Sequence, residues 1–175
     1  MAILPIKNIE EINLIKTWYR KNGQFQSLLM FILAINTGAE LTDLLNLRVK
    51  DVKNKFYLSL RKQHSVPLNN EILELIPIVI EGRTGTDYLF VNTRGNKSDR
   101  GSIFYSFKSV CSELGLSENY SVSSWRKTFA YHYYEKYKDL SYLMWLFNQT
   151  TVELALKFID VKENINLRFR NGVCL

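Results

Sequence analysis

The sequence predicts a mainly α-helical domain with one small antiparallel β-sheet, an α+β arrangement that three observations support. Apolar residues recur at helical spacing along most of the chain, whereas strand-like alternation is confined to short stretches. Hydrophobic residues make up 46% of the 175 residues, which is enough for a packed core. The chain contains no repeat, no low-complexity segment and no clear interdomain linker. We therefore expect residues 1–175 to form a single domain.

Three helices are predicted in the first part of the chain. Residues 8–21 carry isoleucines at helical spacing and form the first helix. Residues 24–36 are apolar on nearly every side, so this helix should lie buried at the centre until Thr37-Gly38 ends it. A short helix over residues 41–45 follows. The predicted buried stripe of the first helix is Ile9, Ile12, Ile15 and Trp18 or Tyr19.

A β-hairpin is predicted after these helices. Residues 56–61 alternate between apolar and polar side chains, and residues 65–68 return after a tight basic turn, Arg61-Lys62-Gln63-His64. Pro67 has no N–H group to donate, which favours an edge strand.

The rest of the chain alternates helices with polar connections. A helix begins at Asn69-Asn70, and Pro77 disturbs it near its end. A short strand over residues 88–91 precedes a polar, basic loop over residues 92–101. The remaining predicted helices cover residues 102–114, 121–137, 140–147 and 150–158.

Composition narrows the class of protein. A net charge of +6 and a pI near 9.3 point to a polyanionic partner, most often nucleic acid. Cys111 and Cys174 lie far apart without a paired-cysteine motif, which favours a reducing compartment. The longest apolar run, residues 28–35, is too short for a bilayer, so we expect a cytoplasmic protein without membrane contact. No Cys/His cluster or nucleotide-binding glycine loop is present, and we expect no metal and no cofactor.

The helix that begins near Ser121 carries a candidate binding site. Serines at its start can accept backbone N–H groups, while Trp125, Phe129 and Tyr133 lay aromatic rings along one face. Arg126, followed by Lys127, sits beside this stripe, and a helix start flanked by cations suits a phosphate. The alternative is an amphipathic core helix with two solvated cations at its shoulder.

Four separated stretches resemble, in one order, the boxes of the tyrosine recombinases, or phage integrases. These are Thr37–Leu45, the hairpin that ends in Val66-Pro67-Leu68, Ser123–Ala130 and Phe147–Phe158. The resemblance covers most of the chain and implies that family's catalytic domain, which is mostly helical with a small sheet. It also implies that the separate N-terminal core-binding domain usual in the family is absent.

The family's reaction exchanges DNA strands through a covalent phosphotyrosine, and the resemblance implies that most of the required groups are replaced here. Arg126 matches an arginine of the family, and Lys62, or alternatively Arg61, matches the hairpin lysine. The first arginine position holds Glu40, whose carboxylate at ~4 Å would repel a phosphate by roughly 1–4 kcal/mol. The two histidine positions and the nucleophile position are occupied by Ser123, Gln149 and Phe158.

No tyrosine follows Phe158, so we expect the chain not to be an enzyme. Binding needs less than catalysis, and basic residues coincide with the segments that would face double-stranded DNA in this family. The predicted DNA-binding residues are Arg61, Lys62, His64, Arg94, Lys97, Arg100, Arg126 and Lys127.

The favoured function is therefore a catalytically inactive DNA-binding regulator or accessory factor of a mobile element or prophage. One alternative is a protein-interaction module whose tail, Ile165 to Leu175, docks on a second copy or on an active recombinase. The other is a divergent site-specific recombinase with residual strand-exchange activity.

Overall fold

The computed structural model describes residues 3–60 and 65–162 of the chain. Over these ranges the protein is mainly helical, with one two-stranded antiparallel sheet, as the sequence predicts. The helices are α1 (Ile9–Lys21), α2 (Phe25–Thr37), α3 (Leu41–Asn46), α4 (Val49–Val52), α5 (Asn70–Ile80), α6 (Arg100–Glu113), α7 (Val122–Tyr137), α8 (Leu140–Phe147) and α9 (Val152–Phe158). The strands are β1 (Tyr57–Leu58) and β2 (Val66–Pro67). Within the described ranges, no helix has both the length and the apolar character needed to cross a bilayer.

Helix α2 forms the centre of the larger hydrophobic core, which confirms the predicted central helix. Every residue from Leu28 to Ala34 is buried, and the helix packs against α1, α5 and α7. The Phe31 ring centroid lies 6.1 Å from that of Phe107 and 5.7 Å from that of Trp125, so α2 is held to α6 and α7 by aromatic contacts. On α1, by contrast, Ile9 is 55% exposed, and the buried stripe begins only at Ile12.

Polar side chains fix where the helices begin. Each of these residues precedes a helix and accepts a backbone N–H from its first turn, which satisfies one of the donors left free there. They are Asn8, Asn69, Asp99, Ser121, Asp139 and Thr151. The last helix, predicted from residue 150, starts at Val152, because Thr151 supplies the capping oxygen and accepts the backbone N–H of Leu154.

The β-structure is smaller than the sequence suggests. In the hairpin, Tyr57 pairs with Pro67 and Leu58 with Val66, while the predicted turn Arg61–His64 lies outside the described residues. The predicted strand over residues 88–91 is wrong. Among the described residues this segment forms single bridges, Arg48 to Tyr88 and Val91 to Lys97, because its partners at the two ends are different and build no continuous ladder.

Helix α7 joins two hydrophobic clusters. Its first part, with Val122 and Trp125, belongs to the main core, whereas Ala130 and Tyr134 belong to a second cluster with α8 and α9. Between them, Phe129 packs on Gly38, the left-handed residue that ends α2. The middle of α7 is thereby set directly against the end of α2.

Candidate functional site

A cavity of about 310 Å³ opens where the α2–α3 junction meets the starts of α6 and α7 and the end of α9. Its polar lining residues among those described are Glu40, Thr42, Arg100, Ser123, Arg126 and Lys127. Phe158 closes one side of it. The cavity thus brings together residues that lie more than a hundred positions apart in sequence.

Arg126 is held in the cavity by backbone carbonyls and by an aromatic ring. Its Nε donates to the carbonyl oxygen of Gly38 at 3.0 Å, and its Nη2 donates to that of Leu146 at 3.2 Å. The guanidinium carbon lies 4.5 Å from the centroid of the Phe147 ring, which is a cation–π contact. These contacts place Arg126 between the end of α2 and the end of α8.

The remaining end of the guanidinium is paired with Glu40. Arg126 Nη1 lies 3.0 Å from Glu40 Oε1, and the two side chains are 24% and 47% exposed, respectively. Burial lowers the pKa of Arg126, while the charges of Glu40 and Asp43 act to raise it. A carboxylate of the protein therefore occupies the place where an external anion would meet this arginine.

Lys127 points the other way, towards the N-terminal segment. Its Nζ donates to the carbonyl oxygen of Ile3 at 2.8 Å and lies 5.2 Å from the centroid of the Phe158 ring. Burial lowers its pKa, against an opposing effect of the charge of Asp160. Neither cation at the start of α7 is freely solvated, so the alternative of two solvated cations is wrong.

The Phe158 side of the cavity is aromatic. The ring centroid of Phe158 lies 4.8 Å from that of Phe147, so the ring that supports Arg126 also supports Phe158. Among the described lining residues, the hydroxyl groups are those of Thr42 and Ser123, and none is a tyrosine or a histidine. The cavity holds three basic side chains, and its described lining residues include no phenol to attack phosphorus.

Comparison with known proteins identifies the fold family. Residues 5–164 match the family model described as "Phage integrase family". The chain belongs to the phage integrase family. It is 27% identical over 168 residues to the probable integrase/recombinase YoeC of Bacillus subtilis (strain 168), covering 93% of this chain and 92% of that protein. It is also 28% identical over 138 residues to a probable integrase/recombinase of Acholeplasma phage L2, covering 75% of this chain and 47% of that protein.

Solved integrase-family structures share the fold. The XerA recombinase aligns with a TM-score of 0.74 at 17% identity, and the Tn1549 transposon integrase in complex with circular intermediate DNA aligns at 0.73 and 13%. Each alignment covers 99% of this chain and 66% of the other. The chain thus spans less than two thirds of the length of these two proteins.

The positions that the resemblance assigns to the integrase active site fall largely in this one cavity. Glu40, Ser123, Arg126 and Phe158 all line it, with Ser123 exposed. Gln149 is not among the described lining residues, and its Nε2 donates to the carbonyl oxygen of Phe147 at 3.3 Å.

The predicted DNA-binding residues divide into three groups. Arg100, Arg126 and Lys127 share the cavity. Arg94 and Lys97 lie on the loop before α6, outside its lining; Lys97 Nζ donates to Asn46 Oδ1 and lies 5.6 Å from the Tyr88 ring centroid. Arg61, Lys62 and His64 lie outside the described residues. Within the described ranges, no group of three or more His, Cys, Asp or Glu residues is arranged to hold a metal.

Sequence reasoning missed the groups that position Arg126. The carbonyl oxygens of Gly38 and Leu146 carry no sequence signal, because every residue has one. In the sequence, Phe147 is the last apolar residue of a helix and the first residue of a family box, and neither feature places it beneath the guanidinium. Its place there depends on how α8 packs on α7.

Proposed function

We propose that this chain is a DNA-binding member of the phage integrase family that lacks strand-exchange activity and acts as a regulator or accessory factor of a mobile element or prophage. One observation carries the proposal. The cavity that gathers Arg126, Arg100 and Lys127 is also lined by Glu40 and Phe158. Its described lining residues supply cations for a phosphate and include no tyrosine to attack it.

Chemistry in this cavity would need a nucleophile and a group to activate it. Phe158 has no oxygen, and the hydroxyl of Ser123 has no histidine beside it among the described lining residues. A serine without a neighbouring base is a weak nucleophile. The Glu40 carboxylate would also oppose the negative charge that builds on phosphorus in the transition state.

Binding has separate support. The net charge of +6 favours a polyanion, and three basic residues converge on one cavity. Of the structures with the same fold, that of the Tn1549 transposon integrase is a complex with circular intermediate DNA, and that of lambda integrase is a dimer bound to a COC' core site. These relatives support DNA as the partner of this chain. We propose that the basic residues of the cavity make the contacts with it.

Fluorescence anisotropy with a labelled duplex at low and moderate salt tests the proposal. If three cations contact phosphates, raising the salt from about 50 to about 200 mM should weaken binding ~40-fold, because each contact contributes a slope of about −0.9 in log–log form. Absence of binding at the lower salt concentration would overturn the proposal.

A further inference from the structure

The contacts of the Glu40 side chain would allow another anion to replace its carboxylate at Arg126. It precedes α3 and its side chain makes no capping hydrogen bond to that helix. The side chain is 47% exposed, and its Oε1 contacts Arg126 Nη1 at 3.0 Å. A half-exposed carboxylate with one such contact can move into solvent without disturbing the backbone of α3.

Arg126 would keep its position without Glu40. The hydrogen bonds to the carbonyl oxygens of Gly38 and Leu146 use Nε and Nη2, and the Phe147 ring supports the face of the guanidinium. None of these contacts involves Glu40. Withdrawal of the carboxylate would therefore leave a fixed N–H group at Nη1 without its Glu40 partner, while the charge of Asp43 would still act on the guanidinium.

The other described cations of the cavity, Lys127 and Arg100, are not paired with a carboxylate that a phosphate would replace. Lys127 donates to the carbonyl oxygen of Ile3 and sits over Phe158. Arg100 is exposed on the first turn of α6, and within residues 3–60 and 65–162 no ion pair would have to break before it meets a phosphate. In the described part of the chain, Arg126 is thus the cavity cation that is already paired with a carboxylate of the protein.

We propose that the Glu40 carboxylate is a resident anion, which a DNA phosphate must displace from Arg126 Nη1 before this arginine can bind DNA. The inference rests on the proposed DNA binding and adds how the cavity controls it. In the free protein the cavity is occupied by its own carboxylate. Binding is then an exchange of one anion for another, and Glu40 sets how tightly DNA is held.

A double-mutant cycle in the DNA anisotropy assay tests this exchange. We expect Glu40→Gln to tighten binding about tenfold, because the competing charge is gone while Arg126 stays in place. Arg126→Gln should change affinity less than about threefold in the wild-type background, where Glu40 already engages the arginine, but should remove most of the gain in the Glu40→Gln background. Thermal unfolding of each variant checks that it is folded, and Arg126→Lys replaces Arg126→Gln if the latter is not.

Glu74→Gln is the matched control. It makes the same change of charge at an exposed position of α5 outside the cavity, and we expect it to change affinity less than about twofold. If wild type and Glu40→Gln both fail to bind at low salt, the proposed function itself fails. If wild type binds and Glu40→Gln binds no more tightly than Glu74→Gln, the resident-anion proposal is overturned and the proposed function stands.

Discussion

The guanidinium of Arg126 is held in a fixed position and is already paired with a carboxylate. Two carbonyl oxygens and the Phe147 ring hold the guanidinium, and Glu40 pairs with it. Burial lowers the pKa of Arg126, but an arginine starts so far above neutrality that it stays protonated. The residue is therefore a permanent cation whose availability depends on Glu40.

The replacement Phe158→Tyr should not restore DNA cleavage. It returns a phenol to the cavity wall, yet Glu40 still opposes the phosphate and Ser123 cannot serve as a proton-transfer group near neutral pH. Relaxation of a supercoiled plasmid and formation of an SDS-resistant protein–DNA adduct are the two readouts. Detectable nicking by this single variant would show that Glu40 impedes the chemistry less than the cavity geometry suggests.

At the scale of elements, the junction of α2 with α7 depends on one glycine. Gly38 has φ +66°, and a Cβ placed there would lie 2.5 Å from Phe129 Cδ1. Both the left-handed backbone and the close ring exclude a side chain. The same glycine supplies a carbonyl oxygen to Arg126, so the packing of these helices and the position of the guanidinium are coupled.

We expect Gly38→Ala to lower the free energy of unfolding by about 2–4 kcal/mol, the sum of backbone strain and overpacking against Phe129. Gly23→Ala is a matched control, because Gly23 has φ +65° but nothing within 4 Å of the added Cβ. That variant should lose only about 1–2 kcal/mol. Urea unfolding measures both, and equal losses would contradict the role assigned to Phe129.

Helices α1 and α5 are joined by an ion-pair cluster that should make stability depend on pH. Burial acts to raise the pKa of Glu71, but hydrogen bonds and charges from Lys16 and Arg20, each 2.7 Å away, outweigh it and lower the pKa. Because the folded-state pKa is below the unfolded value, the stabilisation is present at neutral pH and is lost as pH falls through the folded-state pKa.

Glu71→Gln should therefore destabilise the protein at pH 7, and the difference from wild type should shrink towards pH 3. Urea unfolding across this range measures the difference in unfolding free energy. Glu74→Gln, on the exposed face of the same helix, should show no comparable pH dependence. A Glu71→Gln difference that stays constant with pH would contradict the account of this cluster.

Sequence patterns located most elements because helix starts and buried stripes leave local signals. They failed where structure depends on neighbours distant in sequence. Residues 88–91 look like a strand, yet in the described part of the chain their backbone meets only single bridging partners. Conversely, α5 continues through Pro77 to Ile80, although proline removes one backbone donor.

For the whole molecule, the predicted convergence of basic residues is partly realised within the described ranges. Arg100, Arg126 and Lys127 meet at the cavity, whereas Lys97 is engaged with Asn46 and the Tyr88 ring on the loop before α6. The positions of the charged residues and of the family boxes can be read from the sequence, and they indicate the basic surface at the cavity. The pairing of Glu40 with Arg126 at 3.0 Å follows only from the packing of α2, α3 and α7.

Arg100→Gln tests whether the cavity is the DNA-facing surface. We expect weaker binding and a salt slope reduced in magnitude by about 1, since one phosphate contact is lost. Lys21→Gln, an equal loss of charge at the exposed end of α1, should leave the slope nearly unchanged. Equal effects of the two changes would indicate that binding reflects net charge alone.

The central claim is that this integrase-family chain holds DNA without breaking it. Anisotropy of a labelled duplex, recorded at low salt with the protein and again after addition of SDS, tests both halves of that claim. We predict a high anisotropy that falls to the value of free DNA once SDS unfolds the protein. No rise in anisotropy at the start, or a rise that survives SDS because protein and DNA are covalently joined, would contradict it.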